Sequence, residues 1–274
     1  MDELLRAPAD VRLRDIDTRS TPGFDGDKAD GEKALADGVD ELSTLQERLH
    51  AASTAGETRR VLLVIQAMDT AGKGGIVRHV IGSVDPQGVQ LAAFKRPTEE
   101  ELSHHFLWRV EKQLPAVGKI GVFDRSHYED VLIGRVRELA PADEIEQRYD
   151  DITEFERRVA DSGTSIVKVM LHISKDEQKE RLAERLDRPD KHWKYNPGDI
   201  DERMLWAEYE RAYELAIQRT DADHAPWFIV PADRKWYARL AVQTLLLSAL
   251  RDLDPQWPTA DFDVELEKQR LADS

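Results

Sequence analysis

A chain of 274 residues is long enough to bury a substantial core, and one large α/β domain accounts for it. Hydrophobic residues make up 41% and charged residues 34%, and the apolar runs are strand-length, far short of the roughly 18–20 residues of a membrane span, so no membrane crossing is expected. A net charge of -15 argues against a surface given over to nucleic acid or an anionic membrane, and the absence of cysteine excludes disulfides, thiolate metal sites and a cysteine nucleophile. Met1-Asp2-Glu3-Leu4-Leu5-Arg6 shows no basic segment followed by an apolar stretch, so no secretory signal is expected and the cytoplasm is the default location.

Residues 1–27 hold Pro8, Pro22 and several Gly and Asp without a sustained period, and read as an N-terminal arm, extended over the domain or partly disordered. From Lys28 to about Ser53, Leu35, Val39, Leu42, Leu45 and Leu49 recur at three- and four-residue spacing and predict one amphipathic helix over a sheet face. A strand over 60–66 runs into a small-residue turn and a helix from 73 to about 83. Val89 to Phe94 reads as a second strand, followed by the loop Lys95-Arg96-Pro97. Thr98-Glu99-Glu100-Glu101 is a capping-box start for a helix that carries Leu102, Phe106, Leu107 and Val110 toward the core. Its adjacent His104 and His105 cannot share a helix face, and read as surface residues rather than ligands.

Lys119 to Phe123 is a third strand, ending abruptly at Asp124; a helix follows Asp130, and Pro141 starts a long acidic one to about Ser162. Thr164 to Ile173 is a fourth strand. Ser174 caps a helix over 175–187, and 188–198 is irregular and dense in Pro, Lys, Trp and Tyr. A helix over 199–219, a fifth strand Trp227 to Val230 and a helix from Lys235 to Leu253 complete a domain spanning 28–253; residues 254–274 read as a loosely attached tail. Strands alternating with helices at this spacing give βαβ units, hence a parallel sheet with helices on both sides and a ligand site at the carboxyl ends of its strands.

The stretch that organises the rest is Val61-Leu62-Leu63-Val64-Ile65, apolar enough to be buried on both sheet faces, followed by Gln66-Ala67-Met68-Asp69-Thr70-Ala71-Gly72-Lys73-Gly74-Gly75. A turn of small residues opening a helix points backbone N–H groups and the positive end of the helix dipole at one spot, with Lys73 at its edge; such a spot suits a phosphate. Against the usual pattern G-x-x-x-x-G-K-[ST], Ala67 stands in place of the first glycine and Gly74 in place of the hydroxyl residue. A strand-end Asp such as Asp124 is by itself more often a helix cap than a ligand. With Asp69 inside the neighbouring loop, however, two carboxylates converge, and a divalent cation relieves their repulsion. Asp69 then takes over the role of the missing hydroxyl. Arg125 is placed to grip a transferring phosphoryl group. On spacing alone Arg181 belongs to a solvated helix face, whereas Arg185 and Arg188, next to Lys191-His192-Trp193-Lys194, read as part of a closing lid.

Met68-Asp69-Thr70-Ala71-Gly72-Lys73-Gly74, Asp124-Arg125-Ser126-His127-Tyr128-Glu129-Asp130 and Glu184-Arg185-Leu186-Asp187-Arg188-Pro189-Asp190-Lys191-His192-Trp193-Lys194 together resemble the modified Walker A, Walker B and lid modules of the polyphosphate kinase 2 family. The resemblance implies a three-layer αβα P-loop kinase-like fold with a five-stranded parallel sheet of order 2-3-1-4-5 and a helical lid at about 185–200. It also implies oligomers of two or four chains. The implied reaction moves the terminal phosphate of inorganic polyphosphate to a nucleotide (AMP, ADP and ATP or the guanine equivalents), with Mg²⁺ and with Mn²⁺ as a substitute.

Carried over by position, Asp69 and Asp124 hold the metal, and Lys73, Arg125 and Arg185 stabilise the phosphoryl group in flight. Ala71, Gly72, Gly74, Arg78, Lys95, Arg96, Arg188, Lys191 and Lys194 line the phosphate and nucleotide path. The Ser-His-Tyr-Glu-Asp form of the second module resembles members that phosphorylate nucleoside monophosphates, some of which also act on diphosphates, and Glu129 is expected to bear on that choice. Some relatives carry an acidic residue where Gly74 stands. His127 is expected to be structural, with no phosphohistidine. Two other readings share these features: an ATP-dependent nucleotide or nucleoside kinase of the thymidylate-kinase-like group, and a nucleotide-binding regulatory module.

Overall fold

The computed structural model describes residues 1–274. Five strands, β1 (Arg60–Ala67), β2 (Val89–Ala93), β3 (Ile120–Asp124), β4 (Thr164–His172) and β5 (Trp227–Pro231), form one sheet of order β2-β3-β1-β4-β5. Every pairing is parallel, with Ile65 opposite Asp124 on one side and Val169 on the other. Val61 to Ile65 are 0–1% exposed, as a central strand covered on both faces requires.

The longer helices, of 7 residues or more, position the rest: α1 (Lys28–Asp37), α2 (Val39–Thr54), α3 (Lys73–His79), α4 (Ala142–Asp161), α5 (Lys175–Asp187), α6 (Gly198–Met204), α7 (Trp206–Thr220), α8 (Lys235–Leu253) and α9 (Val264–Ala272). Shorter turns connect them. α8 packs against β4 and β5 and carries α1, α2 and α3 beside it, while α4 packs against β4 and against α7, so the sheet is the middle of three layers. No helix is long and apolar enough to cross a membrane.

The single helix expected over 28–53 is two. Gln243 of α8 reaches into the junction, its Nε2 donating to Leu35 O at 3.0 Å, and a Cβ on Gly38 would lie 2.7 Å from its Oε1. A side chain inserted into the helical ladder breaks it there. The helix expected from 73 to 83 stops at His79 and continues as a 3₁₀ turn over Ile81–Ser83. The capping box of Thr98 and Glu101 is formed, but its helix is one turn, Glu99–Leu102, with a second turn at Trp108–Glu111. Leu107 and Val110 are buried and Phe106 partly so, whereas Leu102 is 69% exposed; the inward stripe begins four residues later than the pattern suggested. The helix expected over 199–219 breaks at Leu205 into α6 and α7.

Residues 1–27 pack on the domain. Leu5, Val11 and Leu13 are buried, Ala7 N–H donates to Trp227 O at 2.9 Å, and Tyr237 Oη donates to Pro22 O at 2.7 Å. At the other end, α9 buries none of its residues.

Candidate active site

β1 delivers the loop 68–72 and β3 delivers Asp124, so the parallel register puts Asp69 and Asp124 at neighbouring strand ends. Two backbone conformations shape the loop: Thr70 at φ 66° and Gly72 at φ 121°, the second suited to glycine because an L side chain rarely adopts it. Arg125, also at positive φ (64°), folds back so that its Nη2 donates to Asp69 Oδ1 at 3.0 Å, and its Nη1 lies 3.9 Å from Glu129 Oε2. Lys73 extends toward Ala67 O at 3.4 Å. Burial, with the Arg125 guanidinium adding to it, pulls the Lys73 ammonium below its ordinary pKa, against the opposing pull of Asp69, Asp124 and Glu129. Burial raises the Glu129 carboxyl, and Gln66, with its amide turned to satisfy both ends, donates to Glu129 Oε1 at 2.9 Å and accepts from Ser126 N–H at 3.0 Å.

Two chambers open from this cluster. One is a cleft of about 700 Å³ walled by the loop 69–75, Asp124, Arg125 and a series of cations: Arg78, Arg185, Lys191, Lys194, Lys235 and Arg239. The other, of about 230 Å³, lies between Met68, Leu132, Ile133, Trp206, Tyr209 and Tyr213, with Glu129, Glu202 and Arg203 among its polar groups. Asp69, Arg125, Asn196 and Asp199 belong to both walls.

Of the residues singled out in the sequence, Asp69, Ala71, Gly72, Lys73, Gly74, Arg78, Asp124, Arg125, Arg185, Lys191 and Lys194 meet in the cationic cleft, and Glu129 lines the smaller chamber. A Cβ on Gly74 would meet open space. Arg185 donates to Lys194 O at 3.1 Å and lies 3.5 Å from Asp199, whose carboxyl is raised by burial. Lys95, Arg96 and Arg188 are exposed and wall neither chamber; Arg188 is engaged by Asp190 and Glu184.

Arg181 corrects the expectation of a solvated helix face: it is 5% exposed, pairs with Glu177 at 2.7 Å, donates to Thr70 O and Ala71 O, and belongs to the wall of the cationic cleft. Lys235 and Arg239 were missed, although two cations one turn apart at the start of a helix, where the dipole disfavours them, carried the signal. His127 is fully buried against Glu156 at 3.1 Å and reaches neither chamber; His104 and His105 are exposed.

The family model for polyphosphate kinase 2 matches residues 25–258, a span that includes the residues of both chambers. The chain belongs to the polyphosphate kinase 2 family. It is 46% identical over 246 residues to the AMP/ADP-polyphosphate phosphotransferase of Meiothermus ruber, covering 90% of this chain and 91% of that one. It is 43% identical over 232 residues to the ADP-polyphosphate phosphotransferase of Rhodopseudomonas palustris, covering 80% and 79%. Among solved structures, polyphosphate kinase 2 from Arthrobacter aurescens TC1 matches with 57% identity and a TM-score of 0.97 over 99% of this chain and 96% of that one.

A polyphosphate kinase 2 of this kind is a phosphotransferase, and kinase-type enzymes generally use a divalent metal. The donors present fit a hard cation that keeps other oxygens: two carboxylates from adjacent strand ends, with no group of three or more His, Cys, Asp or Glu side chains able to cage a metal alone.

Proposed function

We propose that this chain moves the terminal phosphoryl group of inorganic polyphosphate to AMP or ADP, reversibly and in line, with Mg²⁺ (or Mn²⁺ in its place) held by Asp69, Asp124 and phosphate oxygens. The observation that carries this reading is the meeting of two unlike chambers at Asp69 and Arg125. The larger is open and lined by cations, as a long polyanion needs. The smaller is bounded by Trp206, Tyr209 and Tyr213, as a base and ribose need. A donor in the first and an acceptor in the second place the reacting phosphates against the same side chains. The names of the Meiothermus ruber and Rhodopseudomonas palustris relatives support the same substrates.

In this reading Lys73 and Arg125 carry positive charge to the oxygens of the transferring group, and positioning and charge neutralisation supply most of the rate. A divalent metal would be held by Asp69 and Asp124 and would supply charge neutralisation to the phosphate oxygens. Arg185 joins them once the segment 188–194 closes over the cleft, leaving its present partners Lys194 O and Asp199. Buried His127 takes no phosphoryl group.

Product nucleotides are to be followed with AMP or ADP, Mg²⁺ and polyphosphate, and in parallel with ATP as the only donor. Turnover with polyphosphate alone is expected, and Lys73→Ala or Arg125→Ala should lower it on the order of 10²–10⁵-fold with the fold intact. Turnover that requires ATP as donor would overturn the proposal.

A further inference from the structure

Three consecutive carbonyls of the phosphate loop are captured by side chains of one helix. Gln178 Nε2 donates to Asp69 O at 3.1 Å, and Arg181 Nη1 donates to Thr70 O at 3.0 Å and to Ala71 O at 2.9 Å. The two side chains stand three residues apart on α5, on one face, and are 3% and 5% exposed. Arg181 is fully used: its Nη2 donates to Ala232 O at 2.6 Å and Asp233 O at 3.1 Å, and its Nε to Glu177 Oε1 at 2.7 Å. Five N–H groups meet five acceptors, so none remains for a substrate phosphate.

The consequence follows from peptide geometry. In a trans peptide the C=O and the next residue's N–H point in opposite directions, so turning the carbonyls of 69, 70 and 71 toward α5 turns the amides of Thr70, Ala71 and Gly72 away from it. Ala71 N–H closes a turn on Met68 O at 3.3 Å, while those of Thr70 and Gly72 donate to nothing in the chain. The backbone does not hold this shape for free, because Thr70 sits at φ 66° without being glycine. The loop also lacks the first glycine of the usual pattern, with Ala67 in its place.

We propose that Gln178 and Arg181 are positioning residues of the phosphotransfer: they hold three loop carbonyls out of the cationic cleft and so present the loop's amides to the donor phosphates. Gln178 also ties the loop to α6. Gln178 Oε1 accepts from Arg203 Nη1 at 3.1 Å on α6, beyond the lid, and Arg185 lies one turn past Arg181 on α5. The proposal rests on residues 69–74 being the phosphate loop.

The test uses the full chain with Arg181→Ala, Arg181→Lys, Gln178→Leu and Lys73→Ala, each with a thermal melt, steady-state kinetics and calorimetric binding of tripolyphosphate. Arg181→Ala should lower kcat about 10²-fold, the scale of a small misplacement at a reacting centre, and weaken tripolyphosphate, with the nucleotide KM unchanged. Methylguanidinium at non-denaturing concentration should restore part of the Arg181→Ala rate and leave the wild type unaffected; Arg181→Lys, which cannot span two carbonyl pairs, should remain impaired. Gln178→Leu frees one carbonyl and should show a smaller loss of the same kind. Wild-type turnover in both Arg181→Ala and Gln178→Leu, or a loss that guanidinium leaves untouched, overturns the proposal. If Arg181→Ala fails to fold, Gln178→Leu decides alone. Should Lys73→Ala keep full turnover, it is the phosphate-loop reading that falls; should only Lys73→Ala be impaired, the carbonyl clamp falls and the reading stands.

Discussion

Lys168 lies midway along β4 with 0% exposure, and its ammonium meets Glu156 Oε2 at 2.6 Å, the Tyr128 hydroxyl at 2.9 Å and Thr220 O at 2.8 Å. Glu156 in turn holds Tyr128 Oη at 2.9 Å and His127 Nε2 at 3.1 Å, so a buried ion pair anchors the segment that carries Arg125 and Glu129 into the site. Burial pushes the Glu156 carboxyl up, but Lys168 and His127 outweigh it and hold the carboxyl below its ordinary range. A carboxyl lowered in the folded state contributes stability that is complete above its unfolded pKa of about 4.3 and is lost as pH falls through the folded value. Lys168→Met should reverse that sign. With the cation gone, burial raises the carboxyl, and the folded state then takes up a proton before the unfolded one does. The variant should therefore lose about 3–5 kcal/mol at neutral pH, regain part of it between neutral and mildly acid pH where the wild type does not, and recover most of it in Glu156→Leu/Lys168→Met. Urea midpoints at the two pH values measure this; a pH-independent gap, or no loss at all, refutes it. A lysine inside the apolar run 164–173 was visible in the sequence, but its partners come from α4 and α7, and no local pattern joins them.

Between elements, α1 lies close against α8. A Cβ on Gly31 would lie 2.2 and 2.4 Å from two ring atoms of Trp236, whose indole is fixed edge-on to Phe24 at 5.8 Å and to Tyr237 at 5.9 Å. Alanine is the better helix former by about 0.8–1.0 kcal/mol, yet a rigid ring has nowhere to move, and overpacking costs about 1–3 kcal/mol. Gly31→Ala should therefore be destabilising in thermal melts, and a stabilised variant would show that α1 slides freely. The same kind of contact explains what was legible beforehand. All five strands and their parallel order agree with expectation, because burial on both faces strips polar residues from a central strand and the motifs carried the family's topology. Helix ends were less legible: Gln243 splits α1 from α2 through a side chain two hundred residues away. In the site, Asp69, Lys73 and Asp124 could be read because strand ends mark them. Arg181 could not, since five backbone and side-chain oxygens gathered by the fold leave no trace in its spacing.

For the molecule as a whole, the net charge of -15 and the cationic cleft pull in opposite directions on a polyanion. Arg78, Arg185, Lys191, Lys194, Lys235 and Arg239 concentrate positive charge at one edge of the sheet, while the smaller chamber mixes Arg125 and Arg203 with Glu129, Asp199 and Glu202. Each phosphate neutralised by a cation releases condensed counterions, so the salt dependence of binding counts such contacts. Long-chain polyphosphate should accordingly lose affinity steeply as salt rises, and ADP much less. Lys235→Ala and Arg239→Ala should each reduce the slope of log affinity against log salt for polyphosphate by about one contact and leave the slope for ADP alone. Because Lys235 stands on α8 outside the loop 69–75, its variant should raise the KM for long polyphosphate more than it lowers kcat, whereas Arg239, whose guanidinium lies 3.8 Å from where a Cβ on Gly75 would stand, should affect both. Equal slopes for the polymer and the nucleotide would mean that the cations of α8 and the lid do not share one extended anion, and that the larger chamber holds a short donor instead.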